Sequence, residues 1–336
     1  MNPYLCSMAT RALVTGATGF LGSHLTCTLL DKGYEILAAK REHSSLALFE
    51  GVRTFRNCKG QASWIDLDLQ DGEELEKAFA SVDVVFHCAA KVSFRRADFD
   101  ELMETNVLGT RNVVNACLKT QKPMILASSV AAIGRTGSNA PISEDTEYKE
   151  SKYNTDYAVS KYLAELELWR GVEEGLRASC VNPGIILGFG DGHSGSNQLY
   201  RMVKNKIPFM PTGTNGFVGV EDVCRHMLDL YDKQRWGTRE ICVAETLTYS
   251  ELFCDIADHL GVRRPPLRLD GLWLKSFFAL STLCAWLRIP FFISRQALHS
   301  THSDSIYQSK HAFFHDLKPE AISEVNRRAL KAIFAA

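Results

Sequence analysis

The sequence predicts an α/β fold: a doubly wound parallel sheet with a smaller, mostly helical C-terminal lobe. Three observations predict it. Short apolar runs alternate with stretches of helical periodicity through the first half of the chain. Strand, glycine-rich turn, helix and second strand fit within about 30 residues from Ala12, as a βαβ unit requires. The run from Val82 to Ala90 is almost continuously apolar, the pattern of a strand buried on both faces of a parallel sheet.

Each element follows from local signals. Ala12-Leu13-Val14 is a short buried strand, and Thr15 to Gly22 reads TGATGFLG. Leu21, Leu25 and Leu29 then recur at helical spacing. Lys32-Gly33 supplies a cation and a glycine suited to a left-handed helix end. Tyr34 to Ala39 is the second strand, and Trp64 to Leu69 ends a third. Met124 to Ala127 and Ala178 to Val181 are further strands, with helical segments between them. The ligand site of such a sheet lies at the carboxyl ends of its strands.

The glycine loop has three physical jobs there. Gly16 permits the tight turn, Gly19 lets backbone approach a pyrophosphate, and Gly22 allows close packing of helix on strand. Amides from Thr18 through Phe20 and Leu21 then face the phosphates at a helix N-terminus, where the macrodipole favours negative charge. About 20 residues beyond the loop, an NAD site usually carries a carboxylate for the ribose hydroxyls. Here Lys40-Arg41 occupies that place. A guanidinium pairs bidentately with a 2′-phosphate that a carboxylate would repel, so NADP(H) is favoured and NAD(H) accommodated.

The second constellation is chemical. Ser128 and Ser129 follow a strand end, and Asp156 opens a helix in which Tyr157 and Lys161 are four apart, one turn from each other. Two unit charges ~4 Å apart interact by about 4 kcal/mol at an effective dielectric near 20. An ammonium so placed is expected to draw the phenol of Tyr157 down toward neutrality and make it a proton donor or acceptor. His87 reads as a packed strand residue, since no second metal ligand is spaced with it.

With these residues in order, the sequence resembles the extended short-chain dehydrogenase/reductase family. The matching segments are TGATGFLG (15–22), DL (68–69), HCAA (87–90), NVLGT (106–110), SSVAAIG (128–134), YAVSK (157–161), NPGIILG (182–188), VGVEDV (218–223) and TYSELF (248–253). The resemblance implies a Rossmann domain and hydride transfer between the nicotinamide and a carbon bearing oxygen. It makes Tyr157 the general acid/base and Lys161 the group that tunes it and holds the nicotinamide ribose. Ser129 would bond the reacting oxygen, with Ser128 as second choice. Asp68 and Leu69 would contact adenine, Ala89, Ala90 and Lys91 would line the cofactor, and Pro183 to Ile185 would meet the nicotinamide. Asn106 corresponds to a structural asparagine behind the site. Lys40-Arg41 and the segment from Ala90 to Phe94 look closer to dihydroflavonol-reductase-like and hydroxysteroid-dehydrogenase-like enzymes than to UDP-sugar epimerases. An epimerase or dehydratase is the alternative, and a cofactor-binding sensor without turnover a third reading.

Composition bounds the partners. With 336 residues, 46% apolar and 23% charged, the chain has ample material for a core, and a net charge of -1 gives no field to attract nucleic acid. The ten cysteines form no C-x-x-C pair and read as reduced, buried thiols, and no secretory signal precedes Ala12, so a cytoplasmic protein is expected. Residues 10–188 are expected to form the dinucleotide-binding domain, with the chain returning to its sheet near 217–223 and 239–243. Residues 189–336 mainly form the substrate lobe. Gly188 to Gly195 is expected to be a flexible loop over the substrate. The apolar stretch 271–293, interrupted by Lys275, Arg288 and Pro290, is too short between its cations to span a membrane. It fits a substrate-pocket helix, a membrane-surface helix or a homodimer contact. A last helix from about Pro319 to Phe334 would dock through Ile322, Val325 and Ile333.

Overall fold

The computed structural model describes residues 9–134, 140–151, 154–269, 296, 301–311 and 313–334. The apolar stretch 271–293 lies outside the described residues. Strands β1 (Arg11–Thr15), β2 (Glu35–Lys40), β3 (Ser63–Asp66), β4 (Val84–His87), β5 (Met124–Ala127) and β6 (Ala178–Pro183) form most of one sheet. Two short strands follow, β7 (Ile185–Leu187) and β8 (Phe209–Met210), then β9 (Thr214–Gly219) and β10 (Arg239–Cys242). The central sheet runs β10-β6-β5-β4-β1-β2-β3, with every neighbouring pair parallel. Strand order reverses between β1 and β4, which opens a crevice beyond their carboxyl ends.

Alternation along the strands separates the two faces. Ala12, Val14, Ile36, Ala38, Val84, Phe86 and Ile125 share a core with Leu25 and Leu29 of α1 (Phe20–Asp31). Leu13, Leu37, Val85 and Leu126 point the other way. They meet Phe79, Val113 and Leu168, from helices Gly72–Ala80, Gly109–Thr120 and Asp156–Glu173 respectively. The C-terminus of α1 is built as read: Gly33 has φ +84°. His87 is fully buried, with its ring nitrogens 2.6 Å from Thr15 Oγ1 and 3.1 Å from Thr110 Oγ1. Burial pushes its pKa down to about 3, so it is a neutral packed residue.

Two expectations about the second half need correction. Residues 239–242 do join the central sheet, but 214–219 do not. β9 instead pairs with β7 and with β11 (Glu245–Thr248) in a separate three-stranded sheet. A Cβ on Gly184 would lie 2.4 Å from the Gly216 carbonyl oxygen, so the chain is pinched against β9 where β6 passes to β7. The loop after Gly188 is not a free cover either. Phe189 stacks on Phe55 with ring centroids 4.5 Å apart, and its carbonyl lies 2.8 Å from His24 Nε2. That fastens the loop to the cofactor half of the chain.

The second lobe has its own core. Tyr200, Leu252, Phe253 and Ile256 pack with Ile322, Val325, Ala329 and Leu330 of the last helix, Ile322–Phe334. The eight described cysteines are unpaired. Among the described residues no helix is long and apolar enough to cross a membrane.

Candidate active site

The glycine loop joins β1 to α1 at the point of strand reversal. Gly16 sits at φ +66°, and a Cβ on it would lie 2.7 Å from the backbone of Ala89 beyond β4. Gly19 caps α1 without any side-chain hydrogen bond. The amides of the first turn are therefore left for another acceptor, as an anion site needs. Gly22 has no room for a side chain, since its Cβ would stand 2.1 Å from Gly16 oxygen. Bare backbone on three sides and an uncapped helix start fit the pyrophosphate of a dinucleotide.

Around that cradle lie the other positions read from the sequence. Asp68 is exposed past β3, and its carboxylate accepts from the Gln70 amide at 3.0 Å. Leu69 is half-buried against Gly109. Ala89 is half-buried and Ala90 exposed, at the carboxyl end of β4. Lys91 is clamped by Asn106, which accepts from its amide at 2.8 Å and donates to its carbonyl at 3.0 Å. The Lys91 ammonium is ion-paired with Glu101. Asn106 lies in a π-helical turn (Met103–Leu108) that aims its amide inward, where it also donates to Ser160 Oγ at 2.9 Å. Pro183 ends β6 and Ile185 begins β7, on either side of the pinched Gly184.

The cationic pair after β2 divides. Lys40 is ion-paired with Asp66 and also reaches the Glu42 carbonyl at 3.4 Å. Arg41 is exposed, with no side-chain partner among the described residues. Only one of the two cations is thus free for a ligand phosphate, a correction to the reading of both as phosphate groups.

Ser129, Tyr157 and Lys161 come together at the ends of β5 and β6. Ser129 opens a short 3₁₀ turn, and its hydroxyl accepts from Ala131 N at 3.2 Å. A further hydrogen bond from Ser129 pulls the Tyr157 phenol down, but burial outweighs it and the phenol is pushed up to about 12. The expected lowering by Lys161 does not occur, for a geometric reason. The Lys161 ammonium donates to the Ala127 carbonyl at 2.9 Å, the last carbonyl of β5. Burial pulls Lys161 down from 10.5 to about 8. Tyr157 is therefore a protonated acid through neutral pH. Ser128 is directed elsewhere, donating to Glu165 at 2.5 Å. Phe94 meets the Tyr157 ring edge-on, with centroids 6.1 Å apart.

The residue that sequence reasoning missed is Glu165. It is fully buried four residues after Lys161, and its partner Arg239 lies on β10. A glutamate at that helical spacing was the available signal, but a distant arginine could not be paired with it from spacing. No cluster of three metal-ligating side chains occurs among the described residues.

Fold and site together define a pyridine-nucleotide oxidoreductase. The model of the NAD dependent epimerase/dehydratase family matches residues 12–242, and the chain belongs to that family. It is similar to tetraketide alpha-pyrone reductase 2 of Arabidopsis thaliana, 30% identical over 257 residues, 71% of this chain and 79% of that one. Anthocyanidin reductase of Arabidopsis thaliana is 28% identical over 279 residues, covering 76% of this chain and 81% of its own length. Among solved structures, that of gox2253 superposes with a TM-score of 0.81 at 27% identity, covering 97% of this chain and 98% of the other.

Proposed function

We propose that the chain reduces a ketone on a moderately apolar small molecule to a secondary alcohol, with NADPH as reductant. The observation that carries this reading is the gathering of Ser129, Tyr157 and Lys161 at one strand end with the phenol held protonated. The dinucleotide, when bound, would supply the hydride that the ketone carbon takes up. Ser129 hydrogen-bonds the carbonyl oxygen and orients it. Tyr157 gives its phenolic proton to that oxygen, which completes the alcohol. Lys161, its ammonium fixed on the Ala127 carbonyl one helical turn from Tyr157, would hold the nicotinamide ribose of a bound dinucleotide.

Arg41 supports NADP(H), because an exposed guanidinium just past β2 suits a 2′-phosphate. Phe94 beside Tyr157 and the exposed Val92 support an apolar substrate, as do the polyketide and flavonoid names of the two reductases. Nucleotide-sugar epimerisation is the second reading, favoured by the family description, and Arg41 in place of an acidic residue counts against it. Steady-state kinetics of Tyr157→Phe on a panel of apolar ketones tests the mechanism. A general acid of this kind contributes about 10²–10⁴-fold, so kcat should fall by at least 100-fold while dinucleotide binding persists. Full turnover in that variant would overturn it.

A further inference from the structure

We propose that Glu165 is a positioning residue of this site, a buried carboxylate that fixes the serine strand end and supplies the counter-charge for Lys161. The inference rests on the reading of Ser129, Tyr157 and Lys161 as the reacting groups and names what holds them.

The geometry is that of a hub. Glu165 Oε1 accepts from Ser128 Oγ at 2.5 Å and from Asn182 Nδ2 at 2.5 Å. Its other oxygen accepts from Arg239 Nη2 at 2.6 Å. Asn182 Nδ2 is shared, reaching the Ser129 carbonyl at 2.9 Å. One carboxylate therefore ties together the end of β5, strand β6 and the outermost strand β10, directly beneath Ser129. Every one of these partners is a donor, which an ionised carboxylate satisfies and an amide does not. Glu165 and Lys161 are also one turn apart on the same helix, so the acid lies on the face that carries the ammonium.

The electrostatics single out the same residue. The groups that face Lys161 are Glu165 on its own helix, Cys180 on β6, Cys88 just past β4 and His87 on β4. Burial keeps both thiols protonated, raising Cys88 to about 12 and Cys180 well above the usual thiol range. His87 is neutral for the same reason. Among the described residues, Glu165 is thus the one anion facing the buried ammonium, and it raises the affinity of Lys161 for its proton. Arg239, on the far side of the carboxylate, competes for that charge.

Opposite changes therefore have opposite signs. Removing the charge with Glu165→Gln lowers the Lys161 midpoint, and removing its competitor with Arg239→Gln raises it. The direct readout is the ε-carbon resonance of Lys161 in the cofactor-free protein, assigned by Lys161→Arg and followed across pH. A midpoint near 8 in the unaltered chain should fall by about 1 pH unit or more in Glu165→Gln. It should rise in Arg239→Gln. The alkaline limb of kcat should move with each midpoint, and kcat of Glu165→Gln should drop about tenfold as the amide NH2 meets the Arg239 donor and loosens the hub. If Glu165→Gln proves too unstable, the rise in Arg239→Gln carries the test alone. A purely structural Glu165 would lower thermal stability and leave both midpoints unmoved, which overturns the inference. Failure of the underlying reading shows separately, as full turnover in Tyr157→Phe with the midpoints still shifting.

Discussion

The proposed preference for NADPH rests on Arg41, since Lys40 is ion-paired with Asp66. Hydrogen bonds to charged groups contribute about 1.5–3 kcal/mol, so losing a guanidinium–phosphate pair costs roughly one to two orders of magnitude in affinity. Arg41→Asp should accordingly lower the ratio of kcat/KM for NADPH over NADH by about 10- to 100-fold, measured with one substrate. An unchanged ratio would remove Arg41 from the account. Other side chains show where spacing misleads. Tyr157 and Lys161 do share a helix face, yet the ammonium is captured by the Ala127 carbonyl and burial sets the phenol. A buried ammonium takes the nearest strong acceptor, and which acceptor is nearest is a tertiary fact. Ser129 was separable from Ser128 by its motif, and the structure supplies the cause: the Ser128 hydroxyl is held by Glu165.

The β1–loop–α1 unit was legible in full because its constraints are local. Gly19 and Gly22 answer to the backbone of Gly16, only a few residues away, and Gly16 is the exception, set by its positive φ and by Ala89 beyond β4. The same tightness makes a prediction. Gly22→Ala forces a Cβ against the Gly16 carbonyl, which has no flexible end to yield. It should cost about 1–3 kcal/mol in urea unfolding and weaken dinucleotide binding together with it. Gly72→Ala, where nothing lies within 4 Å of the added carbon, should be near neutral. Equal effects from the two changes would show that the close approach is not real. Elements after β6 were less legible. The Thr214–Gly219 strand, read as returning to the central sheet, pairs instead with β7 and β11, a partnership between distant segments that no local pattern marks. The link between Glu165 and Arg239 spans 74 residues, beyond any local pattern.

Across the full chain, the two cores divide the labour. The seven-stranded sheet holds the loop, the cation and the reacting groups, and the second core of Tyr200, Phe253 and Leu330 holds the lobe beside them. The loop between them is fastened to α1 where the Phe189 carbonyl meets His24 Nε2. Substrate identity was the least legible property. It depends on side chains of the second lobe, whose arrangement follows from packing between distant segments. The proposed reaction class rests instead on the Tyr157 phenol, kept protonated by burial, beside Ser129 at a strand end. The direct measurement is the stoichiometry of NADPH oxidation by the purified protein with an apolar ketone. One NADPH consumed per alcohol formed, at a rate at least 100-fold lower in Tyr157→Phe, is the expected result. Conversion of a substrate with no net change in cofactor would contradict it and make the enzyme an epimerase or dehydratase.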